Sequence, residues 1–423
     1  MIIYNLFPTI VGPVTRWRPH LERAARMGFD WVFVNPFQAP GFSGSLYAVK
    51  DHFHFNPLLI DANDIRSARD QMKDTIAAGR ELGLRFMADL VANHCSIDSP
   101  LVAKHPEWFD WAGDGKVVHP GCNTAEGRVT WGDLARIDHE KTADPEGLFG
   151  FFMEWIRFLL DLGFSGFRCD AAYQVPSAFW EKIILHTRDL NSDVVFTAET
   201  LGCSIPETVY TALSGFDYIF NSVKWWDLAS DWLLEQYGLT RDVVRSIGFP
   251  ESHDTTRLAE DVQGNEAALK QRYFLSAFFS SGVLMPIGYE FGFKKKLHVV
   301  ETRPEDWESA EIDLTDFIAS INEVKKQYAL FVEDGPAKAL KSFNDQVLLL
   351  WKASVRAGEE VLVVLNKDVY HRQQVTLQSP ISFVQSGEAL IDVSPVDRMS
   401  HIPDPFNYLL RPGEGRLLFS RWK

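Results

Sequence analysis

The sequence predicts an α/β chain: a (β/α)8 barrel, a small excursion after its third strand, and an all-β sandwich at the C-terminal end. Three observations predict it. Short apolar runs alternate with amphipathic stretches over the first three-quarters of the chain, the pattern of strands and helices around a parallel sheet. Eight such runs occur, and a barrel of roughly 250 residues leaves room for appendages in a chain of 423. Beyond about Gly335 the texture changes to short strands parted by polar turns, as in VLLLWKA, EEVLVVLNK and GRLLFSRW, with no helical period between them.

The predicted barrel strands are Ile2–Phe7, Trp31–Asn35, Arg85–Val91, Gly166–Cys169, Val194–Ala198, Tyr218–Asn221, Ser246–Phe249 and Gly282–Ile287. Strands of a parallel barrel are covered on both faces, which accounts for unbroken apolar runs such as WVFVN and VVFTA. Helical spacing fills several gaps. Ile65–Leu82 carries Ile65, Ala68, Met72 and Ile76 at steps of three and four, and Gly83 stops it. Leu148–Leu162 ends at Gly163, and Ser177–Leu190 follows Pro176 with Ser177 as its expected cap. The stretch between the third strand and the Leu148 helix is rich in Asp, Gly, His, Pro and Trp. A loop that long is usually functional. The domain organisation expected is therefore 1–94 with 147–334 as the barrel, 95–146 as the excursion, and 335–423 as the sandwich.

A formal net charge of −15 repels nucleic acid and anionic membrane surfaces, whereas a neutral polyol is compatible with it. MIIYNLFPTIVG reads as a buried strand rather than a secretory leader, so a cytoplasmic location is expected. Cys95, Cys122, Cys169 and Cys203 lack the paired spacing of a zinc site and are expected as free thiols, with a Cys95–Cys122 pairing left open. The 13 Trp and 31 Phe mostly fill a large core. Trp225 and Trp226, after the sixth strand, are read as packing.

Polar residues at the carboxyl ends of barrel strands face the catalytic mouth. Four ends are unusually polar: Asp89-Leu-Val-Ala-Asn-His94, Gly166-Phe-Arg-Cys-Asp-Ala-Ala172, Phe196-Thr-Ala-Glu-Thr200 and Phe249-Pro-Glu-Ser-His-Asp254. Carboxylates at four ends, two of them with a nearby histidine, are hard to explain as packing. Neighbouring strands four and five can bring Asp170 and Glu199 close together at the mouth. Arg168, two residues before Asp170 and on the same strand face, favours the charged carboxylate.

These four segments, in this order, resemble the four conserved regions of the α-amylase family (glycoside hydrolase family 13), and the resemblance extends to the barrel, the excursion and the sandwich. It implies Asp170 as nucleophile, Glu199 as general acid/base and Asp254 as the third, stabilising carboxylate. It further implies Arg168 as the partner of the nucleophile, His94 and His253 as donors to the sugar being cleaved, and Tyr47 as a ring stacked on that sugar. Asp89 opens the first region, and Glu290 lies where the family often has an acidic residue of open role. No cofactor is required, though the resemblance leaves room for calcium near Asn93. Departures are Ser252 where Asn is common, and Tyr173 and Gln174 where many starch-cutting members have Lys-His.

The expected function is a retaining α-glycosidase or transglycosidase on α-glucans and maltooligosaccharides, through a covalent glycosyl-aspartate. The alternatives are a maltosyltransferase with a sugar-phosphate donor, which the segment Ser99–Phe109 resembles, or a non-catalytic glucan-binding relative. The sequence leaves the oligomeric state open.

Overall fold

The computed structural model describes residues 1–124, 127–386 and 389–422. Eight parallel strands close into a barrel: β1 (Ile2–Leu6), β2 (Trp31–Val34), β3 (Arg85–Val91), β4 (Gly166–Asp170), β5 (Val195–Ala198), β6 (Tyr218–Phe220), β7 (Arg245–Gly248) and β8 (Gly282–Pro286). Each pairs with its neighbours in sequence, and β8 closes on β1. The predicted runs locate all eight, with ends shifted by a residue at most of them. Inside the barrel Ile3, Phe33, Met87, Phe220, Ile247 and Leu284 pack together as a separate core.

Two helix expectations need correcting. The third-strand helix begins at Ala68, capped by the Ser67 hydroxyl on the Asp70 amide. Ile65 precedes it and is fully exposed, because Asp64 and Arg66 fold the chain into a local turn there. Ser177 is not a cap either: it lies inside Ser177–Leu190, and its hydroxyl meets that of Ser214 at 2.6 Å. The helix Pro145–Leu162 starts on Asp144, which accepts from the Gly147 amide, and stops at Gly163 in the left-handed region (φ 110°).

Between β3 and that helix, His94–Ser96 pairs antiparallel with Leu134–Arg136. This anchors the excursion beside the barrel mouth. Its hairpin, Gly121–Thr124 with Gly127–Thr130, reaches further out.

The C-terminal part holds β9 (Ala337–Leu340), β10 (Val347–Ser354), β11 (Glu359–Asn366), β12 (Gln373–Leu377), β13 (Ile391–Asp392), β14 (Phe406–Leu410) and β15 (Gly415–Arg421). Five form one antiparallel sheet in the order β9-β10-β11-β15-β13, faced by a second layer of β12 and β14. Alternation explains why β10 and β11 are buried throughout. Val347, Leu349 and Trp351 face β12 and β14, while Leu348 and Leu350 face the barrel helices. Lys352 crosses that junction to donate to the Phe279 carbonyl at 2.8 Å. Among the described residues no helix is long and apolar enough to cross a membrane.

Candidate active site

The register of the barrel decides which side chains meet. On β4, Arg168 lies directly opposite Asp89 of β3 and Thr197 of β5. Side chains two apart share a face, so Arg168 and Asp170 project together, as do Thr197 and Glu199. The Glu199 amide continues the ladder to the Cys169 carbonyl at 3.0 Å, which brings the Glu199 carboxyl level with Asp170.

Arg168 is the hub. Its Nη1 donates to both oxygens of Asp89 at 2.9 Å and to Asp170 Oδ1 at 2.7 Å. Its Nη2 lies 3.2 Å from Glu199 Oε2 and 3.9 Å from Asp254 Oδ2. One guanidinium therefore faces four carboxyl groups, too few positive charges for all to ionise in a poorly solvated site. Burial pushes Asp89 up to about 7 against the pull of Arg168. Glu199 is pushed further, to about 8, by burial and then by the charges of Asp170 and Asp254, with Arg168 opposing. Its Oε2 accepts from the Ala171 amide at 2.6 Å, which leaves Oε1 as the oxygen to carry the proton. Ala171 holds a left-handed backbone (φ 41°), an uncommon conformation of the kind that clusters at functional sites.

A second knot ties the sugar-side candidates together. The Tyr47 hydroxyl donates to Asp89 Oδ2 at 2.7 Å, receives from Asn35 Nδ2 at 3.0 Å, and lies 2.6 Å from His253 Nε2. His253 Nε2 also approaches Asp254 Oδ2 at 3.2 Å. Burial lowers His253 to about 4 and lowers His94 as well, so both rings are neutral at pH 7.

For His94 the expected role changes. Its Nε2 lies 3.2 Å from the Tyr47 carbonyl, which can only accept. The ring proton is spent there, and buried Nδ1 has no partner in the protein. His94 thus has no ring hydrogen left to give to a sugar hydroxyl.

Calcium does not fit the surroundings of Asn93. The Asn93 amide nitrogen donates to Gln174 Oε1 at 3.2 Å, and Gln174 Nε2 reaches the Gly121 carbonyl at 3.3 Å. An amide clasp joins the barrel to the hairpin at that point, with one unpartnered oxygen, Asn93 Oδ1. Calcium needs six to eight oxygens, and among the described residues no three Asp, Glu, His or Cys side chains form a group that could hold a metal ion. The pair His52 and His54 supplies no alternative: His52 is buried against Phe151 and Trp155, while exposed His54 pairs with Asp51. All four cysteines are free.

Three participants were missed in the sequence. Asn35 follows β2 as a lone amide after an apolar run, and that polarity was the available signal. Glu251 and Arg257 flank the Ser252–Thr256 loop. Both are buried, with Arg257 Nη1 2.7 Å from Glu251 Oε1 and Nη2 donating to the Ile287 carbonyl at 2.8 Å. Glu251 stands in the Phe249–Asp254 motif, where its neighbours drew the attention. Glu290 also finds its place: Tyr4 (2.7 Å) and Arg23 (2.9 Å) both donate to Oε1, joining β1, the following helix and the turn after β8.

The glucanotransferase domain of glycogen debranching enzyme, as a family description, matches residues 1–109. The α-1,4-glucan:maltose-1-phosphate maltosyltransferase of Burkholderia pseudomallei is 26% identical over 400 residues, covering 91% of this chain and 34% of that protein. Its counterpart from Mycolicibacterium smegmatis is 26% identical over 391 residues, covering 84% and 54%. This chain spans about a third to a half of those two relatives. Among solved structures, a maltogenic α-amylase from Thermotoga neapolitana aligns over 100% of this chain and 99% of its own, with TM-score 0.78 and 20% identity. An α-amylase from Lactobacillus plantarum aligns over 99% and 98%, with TM-score 0.79 and 18% identity.

The chain has the α-amylase fold. Its barrel, excursion and C-terminal sheets align with that fold from end to end, and the four polar strand ends converge on Arg168.

Proposed function

We propose that the protein is a retaining α-glucan transglycosylase, with Asp170 as nucleophile, Glu199 as acid/base and Asp254 as electrostatic stabiliser. The observation that carries this is the shared guanidinium of Arg168, 2.7 Å from Asp170, beside which burial raises Glu199 to about 8. Two carboxyl groups with opposed protonation states are what double displacement needs.

In the first step an Asp170 oxygen attacks the anomeric carbon. The bond to the departing oxygen breaks, and Glu199 gives that oxygen its proton, leaving a β-glycosyl ester. In the second step Glu199, now a carboxylate, takes the proton from an incoming hydroxyl whose oxygen displaces Asp170, restoring the α configuration. Asp254, held near His253, places negative charge against the positive charge developing at the ring. Tyr47, Asp89, His94 and His253 bind the sugar that is transferred. The chemistry calls on no cofactor.

Transfer is favoured over hydrolysis by the names of the relatives, a glucanotransferase domain and maltosyltransferases. The same relatives favour a second reading of the donor, a maltosyl phosphate in place of a glucan. Incubation with maltoheptaose, alone and with maltose-1-phosphate, separates them by chromatography. Redistribution of maltoheptaose alone into longer and shorter chains indicates a glucan donor. Growth by two units only with the phosphate indicates the other. Shorter sugars alone contradict transfer. A cytoplasmic location is the reading that accords with such substrates.

A further inference from the structure

The loop after β7 carries two side chains of the site, and they are held in different ways. His253 is buried, with its ring against Phe7 and Phe33 and its Nε2 2.6 Å from the Tyr47 hydroxyl. Its surroundings fix the side chain itself. Asp254 has no such hold: its side chain is 47% exposed. Among the described residues the polar partners of its carboxylate are His253 Nε2 at 3.2 Å and Arg168 Nη2 at 3.9 Å. The first nitrogen lies nearer to Tyr47, and the second is beyond hydrogen-bond range. The place of this charge is thus set by its backbone.

That backbone is a turn closed by hydroxyl groups. His253 and Asp254 are its central residues, and the Thr255 amide donates to the Ser252 carbonyl at 3.3 Å. The Thr255 hydroxyl closes the same turn again: Oγ1 accepts from the Ser252 amide at 3.1 Å and donates to the Ser252 carbonyl at 3.2 Å. A single hydroxyl can do both, since it carries one hydrogen and two lone pairs. Ser252 Oγ in turn accepts from the Asp254 amide at 3.2 Å, the local bond by which serine braces a turn. Ser252 is buried and lines the hollow that also holds Glu199 and Arg168, so the braced turn begins inside the site. Its base is tied separately, because Glu251 accepts from both Arg257 and the Leu258 amide. The freedom left at the tip is what the Thr255 hydroxyl removes.

We infer that Thr255, through the turn it closes, is the positioning residue for Asp254 and so sets how closely that charge stands against the reacting sugar. The inference rests on the transglycosylase reading. The test measures single-turnover fluoride release from α-maltosyl fluoride by the parent, Thr255→Val, Thr255→Ser and Ser252→Ala, and by Asp254→Asn with and without Thr255→Val or Ser252→Ala. Valine keeps the shape of threonine and lacks the hydroxyl. The expected result for Thr255→Val is a fall of about 10- to 100-fold in the saturating rate, with the half-saturating concentration changed by less than about two-fold and most of the rate restored by serine. In the Asp254→Asn background the same substitution is expected to cost less than about two-fold, because the group it positions is already lost. Ser252→Ala, which removes only the acceptor of the Asp254 amide, is expected to show the same dependence on background. A saturating rate unchanged in Thr255→Val overturns the inference. So does a loss as large in the Asp254→Asn background as in the parent, for either variant, which marks a structural role. Parent enzyme that releases no fluoride and transfers no sugar overturns the underlying reading, and the inference with it.

Discussion

The rings of Tyr47 and His253 lie parallel, 3° from coplanar orientation with centroids 5.7 Å apart, and the phenol oxygen is 2.6 Å from the imidazole Nε2. They come from the loop after β2 and the loop after β7, so this contact joins distant walls of the mouth. Tyr47→Phe keeps the ring but leaves Asp89 and Asn35 each short of a buried partner. The expected cost is about 1–3 kcal/mol of folding stability, read by denaturant unfolding, together with loss of kcat/KM. A variant as stable and active as the parent contradicts a structural role for the hydroxyl.

The raised carboxyl of Glu199 fixes the alkaline limb of the rate profile. Glycosylation needs Glu199 protonated, so kcat/KM stays high below about 8 and falls as pH rises through it. Asp254→Asn removes one of the negative charges that hold the proton on Glu199. Its residual activity is therefore expected to fall at a lower pH than that of the parent. A limb that stays put or moves up contradicts the charge assignment.

Glu199→Gln loses the acid. Turnover of maltooligosaccharides should drop by about 10²- to 10⁴-fold, while glycosylation by maltosyl fluoride, whose leaving group needs little protonation, should suffer far less. Comparable losses on both donors would mean that Glu199 does not protonate the leaving group.

Glu251 and Arg257 form a fully buried ion pair at the base of the loop that carries His253 and Asp254. Arg257→Met leaves an uncompensated buried carboxylate, at an expected cost of about 3–5 kcal/mol, measured by chemical denaturation. A change below about 1 kcal/mol would show that the pair contributes little.

The amide clasp of Asn93 and Gln174 stands where an acidic cage would be needed to hold calcium. Exhaustive dialysis against a chelator is expected to leave both melting temperature and turnover unchanged. A fall in either that calcium restores would contradict that reading of Asn93.

The barrel was legible because its strands are continuous apolar runs, and Arg168, Asp170, Glu199 and Asp254 because carboxylates at strand ends have no packing explanation. What stayed illegible depends on side-chain direction. His94 was expected to donate, yet its one ring proton goes to the Tyr47 carbonyl, a contact 47 residues away in sequence that spacing cannot reveal. Ile65 fitted a helical period, but Ser67 caps the chain after it. Trp225 and Trp226 are indistinguishable as letters. Only the turn after β6 turns Trp226 into the core and leaves Trp225 exposed.

The central claim is that Asp170 carries the sugar. The direct measurement is mass spectrometry of the Glu199→Gln variant incubated with maltosyl fluoride, digested and sequenced. With deglycosylation slowed by loss of the base, one maltosyl unit is predicted on the peptide containing Asp170, absent from Asp170→Asn. That second variant should stay folded and lose turnover by about 10⁴-fold or more. A maltosyl group on a different residue, or Asp170→Asn turning over at the parent rate, would contradict the mechanism.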